Sequence, residues 1–183
     1  EYEVGYDDAG KVLGVEITMV SRAGHSADLS GPVMTRALCH FDNAYWLPHV
    51  AMHGYSAKTN TQSNTAFRGF GGPQGAIAIE AILDSIARTL GSDALAVRRA
   101  NFYGPSCGAR VDPALPGDSP PSGGGPGLAR PSGHTDRNVT PYGQRVDDNV
   151  IHELVDRLVA SSDYARRRDE VARLNATSQV LTR

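Results

Sequence analysis

With 183 residues, 18 basic against 20 acidic side chains, a formal charge of −2 and 40% apolar residues, the chain has the composition of an ordinary globular domain. No run approaches the roughly 20 apolar residues that span a bilayer, residues 1–4 lack the basic and then apolar regions of a signal peptide, and the slightly acidic balance argues against capture of nucleic acid. Two cysteines, Cys39 and Cys107, make neither a disulfide framework nor a four-thiolate metal or iron–sulfur site; they fit a reducing cytoplasm, and Cys39 reads as a small buried apolar residue on a helix.

The chain opens already in a strand and without an initiator methionine, so it is expected to be a fragment whose fold and chemistry depend on further chain. Residues 1–6 and 12–20 carry strand-like side chains, and Asp7-Asp8-Ala9-Gly10-Lys11 between them is turn chemistry, which predicts a β-hairpin. In its second strand Val15, Ile17 and Met19 alternate with Glu16 and Thr18, implying one buried face. After a polar loop over 23–31, Pro32 starts a short helix expected to reach about His40, with Val33, Ala37 and Leu38 on one face and Arg36 projecting from it. A third strand is expected over 48–58.

The next segment, Asn64-Thr65-Ala66-Phe67-Arg68-Gly69-Phe70-Gly71-Gly72-Pro73-Gln74-Gly75, joins an aromatic pair and an arginine to a glycine-rich turn that opens a helix. Its glycines permit backbone angles closed to other residues, Pro73 suits a first helical position, and the N–H groups of the helix start suit an anion or an electron-rich oxygen. The spacing is neither a phosphate loop nor a dinucleotide fingerprint, and by itself it reads better as a plain strand-to-helix turn than as a site.

Beyond it, Ile77, Ile79, Ile82, Leu83, Ile86 and Leu90 predict a largely buried helix over 74–90, packed against a sheet, with Glu80, Asp84 and Arg88 on a narrow polar strip. Gly91-Ser92-Asp93 ends it, with Ser92 as the expected N-cap of a helix over 94–101. Of the 31 residues 104–134, 19 are Gly, Pro or Ser, a composition that predicts a flexible linker. Val150, Ile151, Leu154, Val155, Leu158 and Val159 mark an amphipathic helix, and a last helix over 163–176 carries Arg166, Arg167, Arg168 and Arg173 as a solvated face. His49 and His53 have no third ligand in sight and read as incidental.

The turn segment resembles the signature of the molybdenum-binding subunit of the xanthine dehydrogenase and aldehyde oxidase family. Lys58-Thr59-Asn60-Thr61-Gln62-Ser63-Asn64 before it, Arg98-Arg99-Ala100-Asn101-Phe102-Tyr103-Gly104 after it and Met34-Thr35-Arg36-Ala37-Leu38-Cys39-His40-Phe41-Asp42-Asn43 upstream are similar to that family in the same order. The likeness covers residues 1–103 and resumes at about 137. The family lacks the intervening stretch, which reads either as a tolerated surface insertion or as an error in the gene model.

The resemblance implies an α/β (α+β) fragment of a molybdopterin-binding domain: part of that domain over 1–103, a flexible insertion over 104–136, and a helical continuation over 137–183. It implies a molybdenum–pterin cofactor here, and iron–sulfur clusters and FAD in a partner domain or subunit of an oligomeric cytoplasmic enzyme. Matched residue by residue, Arg36 falls where the purine-oxidising branch holds its substrate and acts in catalysis, and Phe70 where a ring stacks on the substrate. Phe67, Arg68 and Gly69 fall at the cofactor, the Arg68 backbone N–H facing an oxo ligand of the metal. Physics agrees: a guanidinium offers fixed donors to a purine oxygen and stabilises charge gathering there, and Phe70 offers a flat apolar face. Arg36 also has a plain reading, an ion pair with a residue such as Asp42, and Phe67 reads equally as core. The family's glutamate base, its second substrate glutamate and most pterin-gripping loops have no counterpart in these 183 residues, so the chain is expected to be one wall of an active site. An aldehyde oxidase-like hydroxylase and a non-catalytic anion-binding or assembly module are the alternatives.

Overall fold

A computed structural model describes residues 1–104, 127–129 and 137–177. The predicted hairpin is present as β1 (Tyr2–Tyr6) and β2 (Val12–Gly24), antiparallel with Tyr2 opposite Ile17 and Val4 opposite Val15. Asp7 builds its turn: its carboxylate accepts the N–H groups of Ala9 and Lys11 at 3.0 and 2.9 Å, and Gly10 closes the turn at φ 77° with its N–H on the Asp7 carbonyl.

β2 runs four residues further than the alternation predicts, because a second partner takes it up. β3 (Val50–Lys58) pairs with it in parallel from Val15 opposite Val50 to Gly24 opposite Lys58. The crossover between these strands is α1 (Ser30–Cys39), which packs on β3 and β2. Three residues inside the Gly/Pro/Ser-rich stretch, Gly127–Ala129, form β4 against β3, giving the order β1-β2-β3-β4. Gly104 and Gly127–Ala129 aside, the rest of 104–136, and with it Cys107 and most of the flexible-linker expectation, lies outside the described residues.

α2 (Gly72–Leu90) packs on α1 and on α3 (Ala94–Asn101). Its Ile79, Ile82, Leu83 and Ile86 join Val12, Val15, Ile17, Leu38, Phe41, Val50 and Met52 in one continuous core. The expectation of a helix buried nearly all round is corrected at Ile77, which is 68% exposed: the helix lies on α1 and leaves that side open. Gly91 ends it in the left-handed conformation, with its own N–H and that of Ser92 satisfying the last carbonyls. The N-cap of α3 is Asp93 and not Ser92, because Ser92 is spent on closing α2. Arg98 ties the two helices, donating to Glu80 at 2.8 Å and Asp84 at 3.1 Å, and Glu80 also takes the Tyr45 hydroxyl.

Residues 137–150 return to the end of α3. Arg137 donates to the carbonyls of Ala100 and Phe102, and Asn149 to those of Tyr103 and Gly104. α4 (Ile151–Ser161) follows, with Ile151 and Val155 on the core but Leu154 and Leu158 exposed. α5 (Tyr164–Thr177) buries nothing; its Arg166 pairs with Asp163 and Glu170 and its Arg168 with Asp93, as a solvated face should. Among the described residues no helix is long and apolar enough to cross a membrane.

Candidate functional site

The glycine-rich turn is held from both sides. Upstream, Asn64 donates its backbone N–H to Ala23 (2.9 Å) and its side-chain amide to Arg22, while Ser30 at the start of α1 donates to the Asn64 carbonyl. Gly24, at φ 90°, lets these loops meet, since a Cβ there would lie 2.3 Å from the Gln62 carbonyl oxygen. The turn itself is closed by the Phe70 N–H on the Phe67 carbonyl at 2.8 Å and the Gly72 N–H on the Gly69 carbonyl at 3.0 Å.

Three consecutive residues take positive φ: Gly69 at 95°, Phe70 at 51° and Gly71 at 102°. For Phe70 this conformation costs on the order of 1 kcal/mol, and such residues persist where their surroundings over-determine them. The result is a backbone whose Arg68, Gly69 and Gly71 N–H groups make no hydrogen bond to any described residue. Phe67 is 82% exposed, which removes its reading as core; Phe70 is partly exposed and Arg68 exposed.

α1 brings Arg36 to this turn. Gly71 faces the turn of α1 from Val33 to Ala37, so closely that a Cβ on it would lie 2.1 Å from the Val33 carbonyl oxygen. Arg36 is on that same helical turn, exposed, near the helix C-terminus where a cation is favoured. The alternative ion pair with Asp42 is not formed. Arg36 pairs with no described residue, and Asp42 is buried at 4% exposure, accepting the Tyr103 hydroxyl.

His49 lies before β3, exposed, and His53 within it, 3.8 Å from Glu16. Among the described residues no group of three or more His, Cys, Asp or Glu could hold a metal ion. The donors at the turn are backbone N–H groups, which suit oxygen atoms of a bound group and not a bare cation.

Sequence reasoning missed a cavity. It has a volume of about 470 Å³ and lies past the C-terminus of α1, lined among others by Cys39, His40, Asp42, Tyr103 and Tyr142. Burial pushes the Asp42 carboxyl up to about 6, against which the Tyr103 hydrogen bond works; burial, and then the Asp42 charge, raise the Cys39 thiol and the Tyr142 phenol. Asp42 belongs to the quoted upstream motif, but its partner Tyr103 is 61 positions away, and no local pattern joins them. Cys39 itself is only partly buried.

Residues 1–102 match the family model described as "Molybdopterin cofactor-binding domain". The chain is 36% identical over 175 residues to xanthine dehydrogenase of Drosophila pseudoobscura pseudoobscura, covering 96% of this chain and 11% of that protein. It is 32% identical over 176 residues to nicotinate hydroxylase of Emericella nidulans, again covering 96% of this chain and 11% of that protein. Among solved structures it resembles the aldehyde oxidoreductase of Desulfovibrio desulfuricans, with a TM-score of 0.66 at 20% identity over 91% of this chain and 15% of that one. At that identity the likeness is one of fold, and it agrees with the α/β class that the resemblance implied. The chain thus spans about a tenth of the length of these curated relatives.

Proposed function

We propose, on the premise that this chain belongs to the molybdopterin cofactor-binding domain family, that it is one wall of the active site of a molybdenum hydroxylase, and that the substrate is a purine such as hypoxanthine or xanthine. The observation that carries the substrate reading is Arg36: an exposed cation without an ion-pair partner among the described residues, on the turn of α1 seated against the aromatic glycine turn.

The turn fits the cofactor in kind. The unbonded N–H groups of Arg68 and Gly69, beside the exposed ring of Phe67, are fixed donors for its oxygen atoms and need no reorganisation to act. When bound, the molybdenum–pterin group supplies the oxidation of a substrate carbon with oxygen drawn from water. Everything else falls to the protein. Phe70 offers a flat apolar surface to a heterocycle. Arg36 holds a purine carbonyl oxygen and stabilises the negative charge that gathers on the ring as the carbon is attacked, a service worth more in the transition state than in the ground state. Iron–sulfur and FAD domains or subunits, in an oligomeric cytoplasmic enzyme, complete the electron path in this reading.

The relatives differ in what their names say they act on, xanthine in one and nicotinate in another, so the test turns on Arg36. In the intact enzyme Arg36→Met keeps much of the stem and removes the charge. Turnover of xanthine is expected to fall on the order of a hundredfold, turnover of benzaldehyde far less, and molybdenum content and melting temperature not at all. Parallel loss on both substrates with lower metal content would mean that Arg36 supports the fold, and would leave an aldehyde-type hydroxylase as the better reading.

A further inference from the structure

Gly75 lies buried in the first turn of α2 with ordinary helical backbone angles, so nothing local demands glycine there. Within a helix alanine is favoured over glycine by about 1 kcal/mol. What demands glycine is α1. A Cβ on residue 75 would lie 2.2 Å from the Ala37 carbonyl oxygen, 3.0 Å from the His40 carbonyl carbon and 3.1 Å from the Phe41 nitrogen. All three are backbone atoms, so no rotamer change relieves the contact and the end of α1 has to move.

Two further glycines complete the seat. Gly71 takes Val33 and the Ala37 nitrogen, at 2.1 and 3.0 Å from its absent Cβ. From the sheet side Gly54 of β3 faces Met34 at 2.7 Å and Leu38 at 3.0 Å. Arg36 immediately precedes Ala37, whose backbone both Gly71 and Gly75 meet. We propose that Gly75 is a positioning residue: by admitting the α1 backbone to contact it sets the distance between Arg36 and the Phe67–Phe70 turn, and through that distance the preference for a purine. This rests on the reading of Arg36 given above.

The test is a double-mutant cycle in the intact enzyme. Gly75→Ala must open the contact by about 1 Å to reach an ordinary van der Waals separation, and a misplacement of that size costs on the order of a hundredfold in rate. Turnover of xanthine is expected to fall by about that factor and turnover of benzaldehyde by much less. In the Arg36→Met background Gly75→Ala is expected to cost nothing further on xanthine, since the group it misplaces is gone. Gly31→Ala, on α1 but with nothing within 4 Å of its added carbon, is the control and should match wild type. Calorimetric titration of the metal-free enzyme with xanthine gives a readout apart from turnover: Gly75→Ala and Arg36→Met should both weaken binding, and the double variant no more than either.

Equal losses on both substrates, additive losses in the cycle, or a Gly75→Ala enzyme indistinguishable from Gly31→Ala would overturn the positioning role while leaving Arg36 as the purine ligand. Retained purine selectivity in Arg36→Met, with xanthine and benzaldehyde turnover falling in parallel, would instead remove the Arg36 reading and this inference with it. Should Gly75→Ala yield no folded enzyme, Gly54→Ala presses α1 through flexible side chains only; its expected result is a severalfold xanthine-selective loss that vanishes when Arg36 is Met, and a loss that persists would refute the role.

Discussion

Asn101, at 1% exposure, holds the hairpin, and so the edge of the core, to α3. Its side-chain oxygen accepts the Val12 N–H at 2.8 Å, and its amide donates to the Gly10 carbonyl at 2.9 Å and the Val97 carbonyl at 2.8 Å. Asn101→Ala removes all three bonds. Val12 and Gly10 are themselves buried, so one donor and one acceptor are left without water; at roughly 1–3 kcal/mol for each orphaned group, the cost is about 2–6 kcal/mol. For a chain of this size that lowers the melting temperature by on the order of 10 °C, a shift that thermal unfolding followed by circular dichroism resolves easily. Asn101→Asp sharpens the argument: the carboxylate still accepts from Val12 but faces two carbonyl oxygens, so its loss should be at least as large at neutral pH and should shrink on acidification, as the carboxyl regains a proton to donate. A cost below about 1 kcal/mol for Asn101→Ala, or no recovery of the Asp variant in acid, would show that water reaches this site and that the three bonds do not hold the hairpin.

Asp42 offers a test of pH dependence. Its folded carboxyl titrates at about 6 against an ordinary 3.8, so between those values the fold binds more protons than the unfolded chain and stability declines as pH rises through about 6. Asp42→Asn keeps an acceptor for Tyr103 without the buried charge; urea unfolding should find it up to about 3 kcal/mol more stable at pH 7 and little different near pH 4, and a variant destabilised equally at both would contradict the assignment. The 183-residue chain by itself, whose turn presents only part of a preorganised site, is expected to retain no molybdenum by elemental analysis and to reduce no dye with xanthine; stoichiometric metal would show that it contains more of the site than this reading allows.

Much of this structure was legible locally. Asp7 and Gly10 write the hairpin turn, the spacing of Ile79, Ile82, Leu83 and Ile86 writes α2, and Gly91 its end, because turn chemistry, capping and periodicity act over a few residues. The candidate site was legible only by resemblance; the residues alone gave a turn with unusual glycines. What tertiary structure decided lies where distant residues meet. β2 outran its alternation because β3 took up its far end. Ile77 stayed in solvent because α2 lies on α1, and Asp93 became the cap because Ser92 was engaged in the preceding turn. Asp42 found Tyr103, and Asn101 found Val12 at a separation of 89 residues, without any signal that spacing could carry. Above all, Gly71 and Gly75 read from the sequence as features of a turn and a helix start. Only the packed structure shows that the α1 backbone rests on both, since close approach is a property of two surfaces and a sequence displays them one at a time.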